Sequence, residues 1–126
     1  MFESFEYYLQ MKMKRLLLRP FHYWRAYQMG IIDKDGNKLR EPDSETERTV
    51  FNVFDDLIRK IKQLFMKYVP NKGLVRHKIY KEFMTDGPIK ALDESVHFSR
   101  RNTIVTEEIQ TSVDTFVINW LRERGY

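Results

Sequence analysis

The feature that most constrains this 126-residue chain is a long apolar stripe between Glu45 and Tyr68. Apolar side chains recur there in alternating steps of three and four residues, which is the spacing of one helix face. Ser44 is a suitable N-cap, and Glu47 completes a capping-box pattern. A second apolar row widens the stripe, so we expect this helix to be buried against two neighbours. The predicted core residues are Phe51, Phe54, Leu57, Ile58, Ile61 and Leu64.

The residues before this stripe predict two shorter helices. Residues 2–19 carry apolar side chains at helical spacing. Pro20 interrupts them, because proline cannot donate a helix hydrogen bond. Residues 21–29 then predict a short helix that Gly30 closes in a left-handed conformation. Together they are the predicted N-terminal helices 2–29.

A polar turn follows, for which the sequence leaves two interpretations. Residues 30–39 place two isoleucines before an Asp-Lys-Asp-Gly-Asn turn, in which Gly36 takes positive φ without penalty; this predicts a small β-hairpin. The alternative is a calcium loop, because oxygen-bearing side chains stand at alternate positions from Asp33. Lys38 and Ser44 then occupy the positions where such a loop requires glycine and glutamate, so we expect no calcium site.

The C-terminal part predicts further helices within residues 74–124. Residues 74–84 have apolar side chains at helical spacing, and an Asp-Gly-Pro run at 86–88 ends that helix. Residues 103–124 fit both a helical stripe and a strand alternation. Their length, and the arginines just before Gly125, favour a helix.

We therefore predict a mainly α-helical, bundle-like single domain over residues 1–126, with one small β-hairpin near residues 30–39. A hydrophobic content of 42% is typical of a globular chain. The chain contains no cysteine, which excludes disulfides and thiolate zinc sites. No run approaches the roughly 18 apolar residues that cross a bilayer, so we expect a soluble intracellular protein without membrane contact.

Nothing in the sequence resembles an active site. The histidines lie far apart, and Glu94 and His97 have the Glu-x-x-His spacing of di-metal sites without the second copy that such sites require. Neighbouring carboxylates such as Asp55 and Asp56 point about 100° apart on a helix, so they do not converge on one proton or metal. We therefore expect no enzymatic activity, no cofactor and no metal.

Charge is segregated along the chain, although the net charge is only +4. Residues 7–32 carry five cations and no acidic side chain, and residues 57–82 carry eight cations and one acidic side chain. The segment between them is acidic. Blocks of alternating sign pair within a fold or between subunits, or they leave a basic face for a polyanion.

We expect the basic blocks to contact a partner. In the favoured interpretation they dock on acidic surfaces of neighbouring subunits. Phe21, Trp24 and Tyr27 recur every third residue, so we expect them to pack inward from one helix side. The alternatives are a nucleic-acid-binding module, in which Tyr23 or Trp24 stacks on a base, and plain solvated charges. The predicted partner-binding residues are Arg15, Arg19, Trp24, Arg25, Arg59, Lys60, Lys62 and Lys67.

The ordered spacing of Pro20, Trp24, Tyr27 and Gly30, followed by the long helix, resembles a module in small proteins of tailed bacteriophages. The resemblance covers residues 15–68. It implies a structural or assembly role as a capsid, neck or connector component, in the host cytoplasm during assembly and then in the virion. It also implies other virion proteins as partners, and a homo-oligomer or symmetric assembly fits such a role. The alternative function is a nucleic-acid-binding regulatory module.

Overall fold

The computed structural model describes residues 11–70, 74–86 and 107–126, and within them the chain is mainly helical, as predicted. A 3-10 turn at Phe21–Tyr23 lies between the first two helices. Residues 2–10 of the predicted helix over 2–19, and the Glu94/His97 pair, lie outside the described residues. The helices are α1 (residues 11–18), α2 (Arg25–Gln28), α3 (Glu45–Val50), α4 (Val53–Tyr68), α5 (Val75–Asp86) and α6 (Glu107–Arg122).

The prediction of one helix from 45 to 68 was wrong, because the chain breaks between α3 and α4. Ser44 caps α3 as predicted, accepting a hydrogen bond from the Glu47 amide. Asn52 then caps α4, since its Oδ1 accepts from the Phe54 and Asp55 amides while the Asp55 carboxylate accepts from the Asn52 amide. An asparagine that bonds the backbone in this way competes with helix continuation. α4 alone is about 24 Å long.

The predicted β-hairpin at residues 30–39 was also wrong. In the described part of the chain this segment forms a single antiparallel bridge, between Ile32 and Lys38, and no strand. Before the bridge, the Ile31 amide donates to Ala26 O and completes the end of α2, where Gly30 has φ +75°. After the bridge, the Arg40 guanidinium donates to Met29 O and to the Glu47 carboxylate. The Ile31 amide is therefore committed to the end of α2, and backbone pairing of the two flanks outside the bridge is limited to the hydrogen bond from the Leu39 amide to Ile31 O.

The turn itself is organised by the Asp33 side chain. Its Oδ1 accepts hydrogen bonds from the Asp35 and Asn37 amides at 2.9 Å, and its Oδ2 accepts from Asn37 Nδ2. These bonds, led by that from the Asn37 amide, lower the pKa of Asp33 below its usual value. The carboxylate is thus engaged by local N–H groups, as in an Asx turn.

The core is continuous and takes buried side chains from α1, α2, α4, α5 and α6, together with Phe51 directly after α3. Among the described residues, Phe65 and Phe83 are the largest fully buried side chains. Their rings meet edge to face at 5.1 Å, and Phe83 meets Trp120 in the same way at 5.2 Å, so α4, α5 and α6 join in one aromatic cluster. Four of the six predicted core residues are buried, namely Phe51, Leu57, Ile58 and Ile61. The other two, Phe54 and Leu64, are partly buried and pack against the same core.

The C-terminal segment is the helix that its length favoured, and not the alternative strand. Val113, Val117 and Leu121 are all buried, in steps of four residues along one side of α6. In a strand, successive residues alternate between faces, and the exposed Phe116 beside buried Val117 fits either pattern. The helical hydrogen bonds of Glu107–Arg122 decide between them.

Close packing at Gly36 fixes the turn against the N-terminal segment. Gly36 is buried with φ +84°, and a Cβ added there would lie 2.3 Å from the ring of Phe21. Gly30 also has positive φ, but a Cβ there would meet no atom within 4 Å. Substituting each glycine therefore distinguishes the cost of the left-handed backbone, which both share, from the cost of a clash with Phe21, which only Gly36 has.

We expect Gly30→Ala to lower the free energy of unfolding by about 1–2 kcal/mol, the cost of a Cβ in the left-handed region. Gly36→Ala should cost about 1–3 kcal/mol more, because the Phe21 ring must move. Urea unfolding of the two variants beside the parent chain measures the difference. Equal losses would show that the turn does not rest on the Phe21 ring.

Candidate partner-binding surface

The structure separates the eight predicted partner-binding residues into two groups. Three of the cations are buried or half-buried along α4, and the aromatic residue is buried as well. The interpretation of the whole basic block of α4 as a solvent-facing surface was therefore wrong. The exposed residues are Arg15, Arg19, Arg25 and Lys67, and Lys60 is half-buried. The buried residues are Trp24, Arg59 and Lys62.

Lys62 is an internal cap for the end of α1. Its Nζ donates to Leu17 O at 2.6 Å and to Arg19 O at 2.7 Å, and the side chain is 6% exposed. Pro20 stops α1, so these carbonyls have no helical partner further along the chain. Burial, with a smaller contribution from the Arg76 guanidinium, lowers the pKa of Lys62 to about 8. The ammonium is therefore the main form at pH 7.

Arg59 holds the turn of residues 33–38 against α4. Its Nη1 donates to Gly36 O at 2.9 Å, and its Nε donates to the Asp56 carboxylate at 2.8 Å. Gln63, one turn later, donates to Asp35 O and to Asn37 Oδ1. The side chain of Arg59 is thus buried in contacts within the fold, and it is not accessible to a partner.

Trp24 packs inward, as its spacing predicted, and so does Phe21. The two rings lie 4.9 Å apart, and the Trp24 indole N–H donates to Arg19 O. Tyr27 does not follow them, because it is 41% exposed, and Tyr23 is 59% exposed. The predicted inward stripe is therefore correct for two aromatic residues and wrong for the third.

Other cations cap helix ends in the same way. Arg76 Nη2 donates to Val69 O at 2.8 Å at the end of α4, and Arg40 donates to Met29 O at the end of α2. Arg124 donates to Trp120 O at the end of α6, stacks over the Trp120 ring and pairs with Glu82. Helix C-terminal carbonyls favour positive charge, so these contacts are electrostatically matched. Sequence reasoning missed this use of the cations, because no sequence pattern distinguishes a cation that caps a helix end from one that faces water.

The exposed cations of residues 11–28 define a basic face, which consists of Lys14, Arg15, Arg19 and Arg25 with the exposed Tyr23 and Tyr27. Arg15 and Arg19 lie one turn apart at the end of α1, and Arg25 begins α2 after the bend at Pro20. A shallow groove of about 720 Å³ lies along this face. Within the described ranges, no acidic side chain forms an ion pair with these four cations.

A buried ion pair supports the basic face from behind. Lys12 Nζ lies 3.2 Å from Asp55 Oδ1, and both side chains are more than nine-tenths buried. Burial raises the pKa of Asp55, against the opposing effects of Lys12 and of the hydrogen bond from the Asn52 amide. The pair joins α1 to the first turn of α4, so it fixes the helix that carries Arg15.

The structure gives the carboxylate pair of α4 two separate structural roles. Asp55 faces Lys12, whereas Asp56 faces Arg59 and Lys38. No group of three or more metal-ligating side chains occurs among the residues that the structure describes. Two of the histidines, His22 and His77, line the same cleft.

No protein-family model matches this chain, and neither the curated proteins nor the solved structures contain a significant match to it. Of the helices described, none is both long enough and apolar enough to cross a membrane.

Replacing Lys62 tests the internal cap. We expect Lys62→Met to lower the free energy of unfolding at pH 7 by about 1–3 kcal/mol, because Leu17 O loses its charged donor while it stays buried. Lys60→Met, two residues away on the half-buried side of α4, is the matched control and should change stability by less than about 0.5 kcal/mol. Chemical denaturation measures both. If Lys62→Met is as stable as the parent, the cost of burying the ammonium equals what the cap contributes.

Proposed function

We propose that this chain is a non-enzymatic structural or assembly protein of a tailed-phage virion, a capsid, neck or connector component that works through protein contacts. The observation that carries the proposal is the basic face, whose four cations are exposed while the other cations near them serve the interior. The resemblance of residues 15–68 to a module of small phage proteins supports a phage virion as the assembly in which the chain acts.

The charge distribution favours a protein partner with an acidic surface. Exposed carboxylates of this same chain lie in the segment before and at the start of α3. A second copy could therefore offer the complementary surface, in a head-to-tail contact that closes into a ring if the rotation permits. Charges on the rim of such a contact steer association and fix its register more than they add affinity. In this segment the exposed acidic residues are Asp35, Glu41, Asp43 and Glu45.

Native mass spectrometry and sedimentation test this proposal. We expect defined oligomers at low salt, or co-sedimentation with virions, with the association weakening as salt screens the charges. The triple variant Arg15→Glu, Arg19→Glu, Arg25→Glu should stay monomeric and leave the particles. A control with the same charge change elsewhere, Lys78→Glu, Lys81→Glu, Arg122→Glu, should associate like the parent. A chain that is monomeric under all conditions and absent from purified particles contradicts the proposal.

A nucleic-acid-binding regulatory module is the second candidate, because Tyr23 and Tyr27 stand exposed beside Arg19 and Arg25. Exposed tyrosines among cations can stack on bases while the cations contact phosphates. The same variants discriminate the two functions. Loss of the cations weakens either kind of binding, whereas Tyr23→Ala weakens binding of a single-stranded oligonucleotide alone. A salt-dependent oligonucleotide complex that Tyr23→Ala disrupts would favour this second function.

A further inference from the structure

A second concave surface lies between the end of α1, α4 and α5, and it is a cleft of about 350 Å³. Its polar lining consists of hydrogen-bond donors, and no carboxylate occurs among the described residues that line it. A cleft lined by one sign of charge concentrates ions of the opposite sign. The polar lining residues are His22, Lys34, Lys62, Arg76, His77 and Tyr80.

Two of these donors are buried without an acceptor. Arg76 Nε and the Tyr80 hydroxyl have no hydrogen-bond partner, and Tyr80 is only 5% exposed. Arg76 and Tyr80 are four residues apart on α5, which places both on one side of that helix. Buried donors are nearly always paired in proteins, so an unpaired arginine N–H beside an unpaired hydroxyl calls for an acceptor. An anion with several oxygens supplies an acceptor oxygen to each of these two donors.

The donors are also held in place before any ligand arrives. Arg76 Nη2 is anchored by Val69 O at 2.8 Å, which fixes the plane of the guanidinium. Lys62 is anchored by Leu17 O and Arg19 O, so its ammonium contributes positive potential to the cleft without having to move. Groups that are already ordered lose little entropy when they bind.

We propose that this cleft binds a phosphate-type oxyanion, with Arg76 Nε and the Tyr80 hydroxyl as the inner donors and His77, His22 and Lys34 nearer the mouth. The Arg76 Nε–H can give a phosphate oxygen a charge-assisted hydrogen bond, which is stronger than one between neutral groups. His22 and Lys34 are exposed and His77 is half-buried. The cleft is larger than one oxyanion, so the phosphoryl group of a small organic phosphate fits the same donors as free phosphate does.

Isothermal titration of the full chain with inorganic phosphate, at constant ionic strength, tests the site. Tyr80→Phe removes only an unpartnered hydroxyl, so it should fold like the parent and weaken phosphate binding about 2- to 12-fold, the value of one neutral hydrogen bond. Arg76→Gln should weaken it by more than about 10-fold, because that bond is charge-assisted. Lys81→Gln, an exposed lysine on the same helix, is the control and should bind phosphate like the parent.

A nucleoside monophosphate in the same titration distinguishes the two sources of the anion. If it binds more tightly than inorganic phosphate, and Tyr80→Phe weakens it too, the ligand is an organic phosphate; equal affinities indicate free phosphate. No phosphate binding by the parent chain overturns the proposal, and so does an unchanged affinity in Tyr80→Phe. Binding that is lost only in the Arg15/Arg19/Arg25 triple variant places the anion on the basic face and overturns it as well. Tyr80→Phe remains decisive if Arg76→Gln fails to fold.

Discussion

The contact between the Lys62 ammonium and the last carbonyls of α1 is the interaction on which the rest of this fold depends. Pro20 stops α1 and leaves its C-terminal carbonyls without helical donors, inside the protein. Lys62 supplies those donors from the middle of α4, and its Nζ also lies 5.2 Å from the centre of the Phe21 ring. One side chain thus sets the distance between α1, the bend and the central helix. Without it, the polar backbone at the bend would face an apolar core.

The surroundings of that contact show how a small core accommodates several charges. The Phe21 ring lies between Lys62 and the backbone of Gly36, and Arg59 binds the carbonyl of Gly36. Lys12 and Asp55 form an ion pair on the other side of α1. Each of these buried charges has partners. Removing one partner of a buried ion pair destabilises a fold by more than the intact pair stabilises it, because the other charge stays buried and unpaired. The basic composition of the chain is therefore in good part an internal requirement.

Local features of the fold were predictable from the sequence, and long-range ones were not. The cap at Ser44, the break at Pro20 and the left-handed Gly30 follow from the chemistry of the residues themselves. The cap at Asn52 was also visible, as Asn-x-x-Asp, but the continuous apolar stripe through Phe51 concealed it. Lys62 and Leu17 are 45 residues apart, and no periodicity distinguishes a lysine that will cap another helix from one that faces water. Of the predicted partner-binding residues, Arg15, Arg19, Arg25 and Lys67 are exposed, whereas Trp24, Arg59 and Lys62 are buried.

This division of the cations bears directly on function, because only those outside the core are available to a partner. The Lys62 ammonium is buried as a helix cap, and this burial lowers its pKa from the usual 10.5 to about 8. Between pH 8 and pH 10.5, Lys62 therefore binds more protons in the unfolded chain than in the folded chain. The contribution of Lys62 to the free energy of unfolding thus rises with pH across that window.

The most direct measurement is an NMR titration of the Lys62 Nζ resonance in the folded chain, assigned by its absence in Lys62→Met. The account predicts a midpoint near pH 8. A midpoint near 10.5 would contradict it, because the ammonium would then be in water and α1 would need another cap.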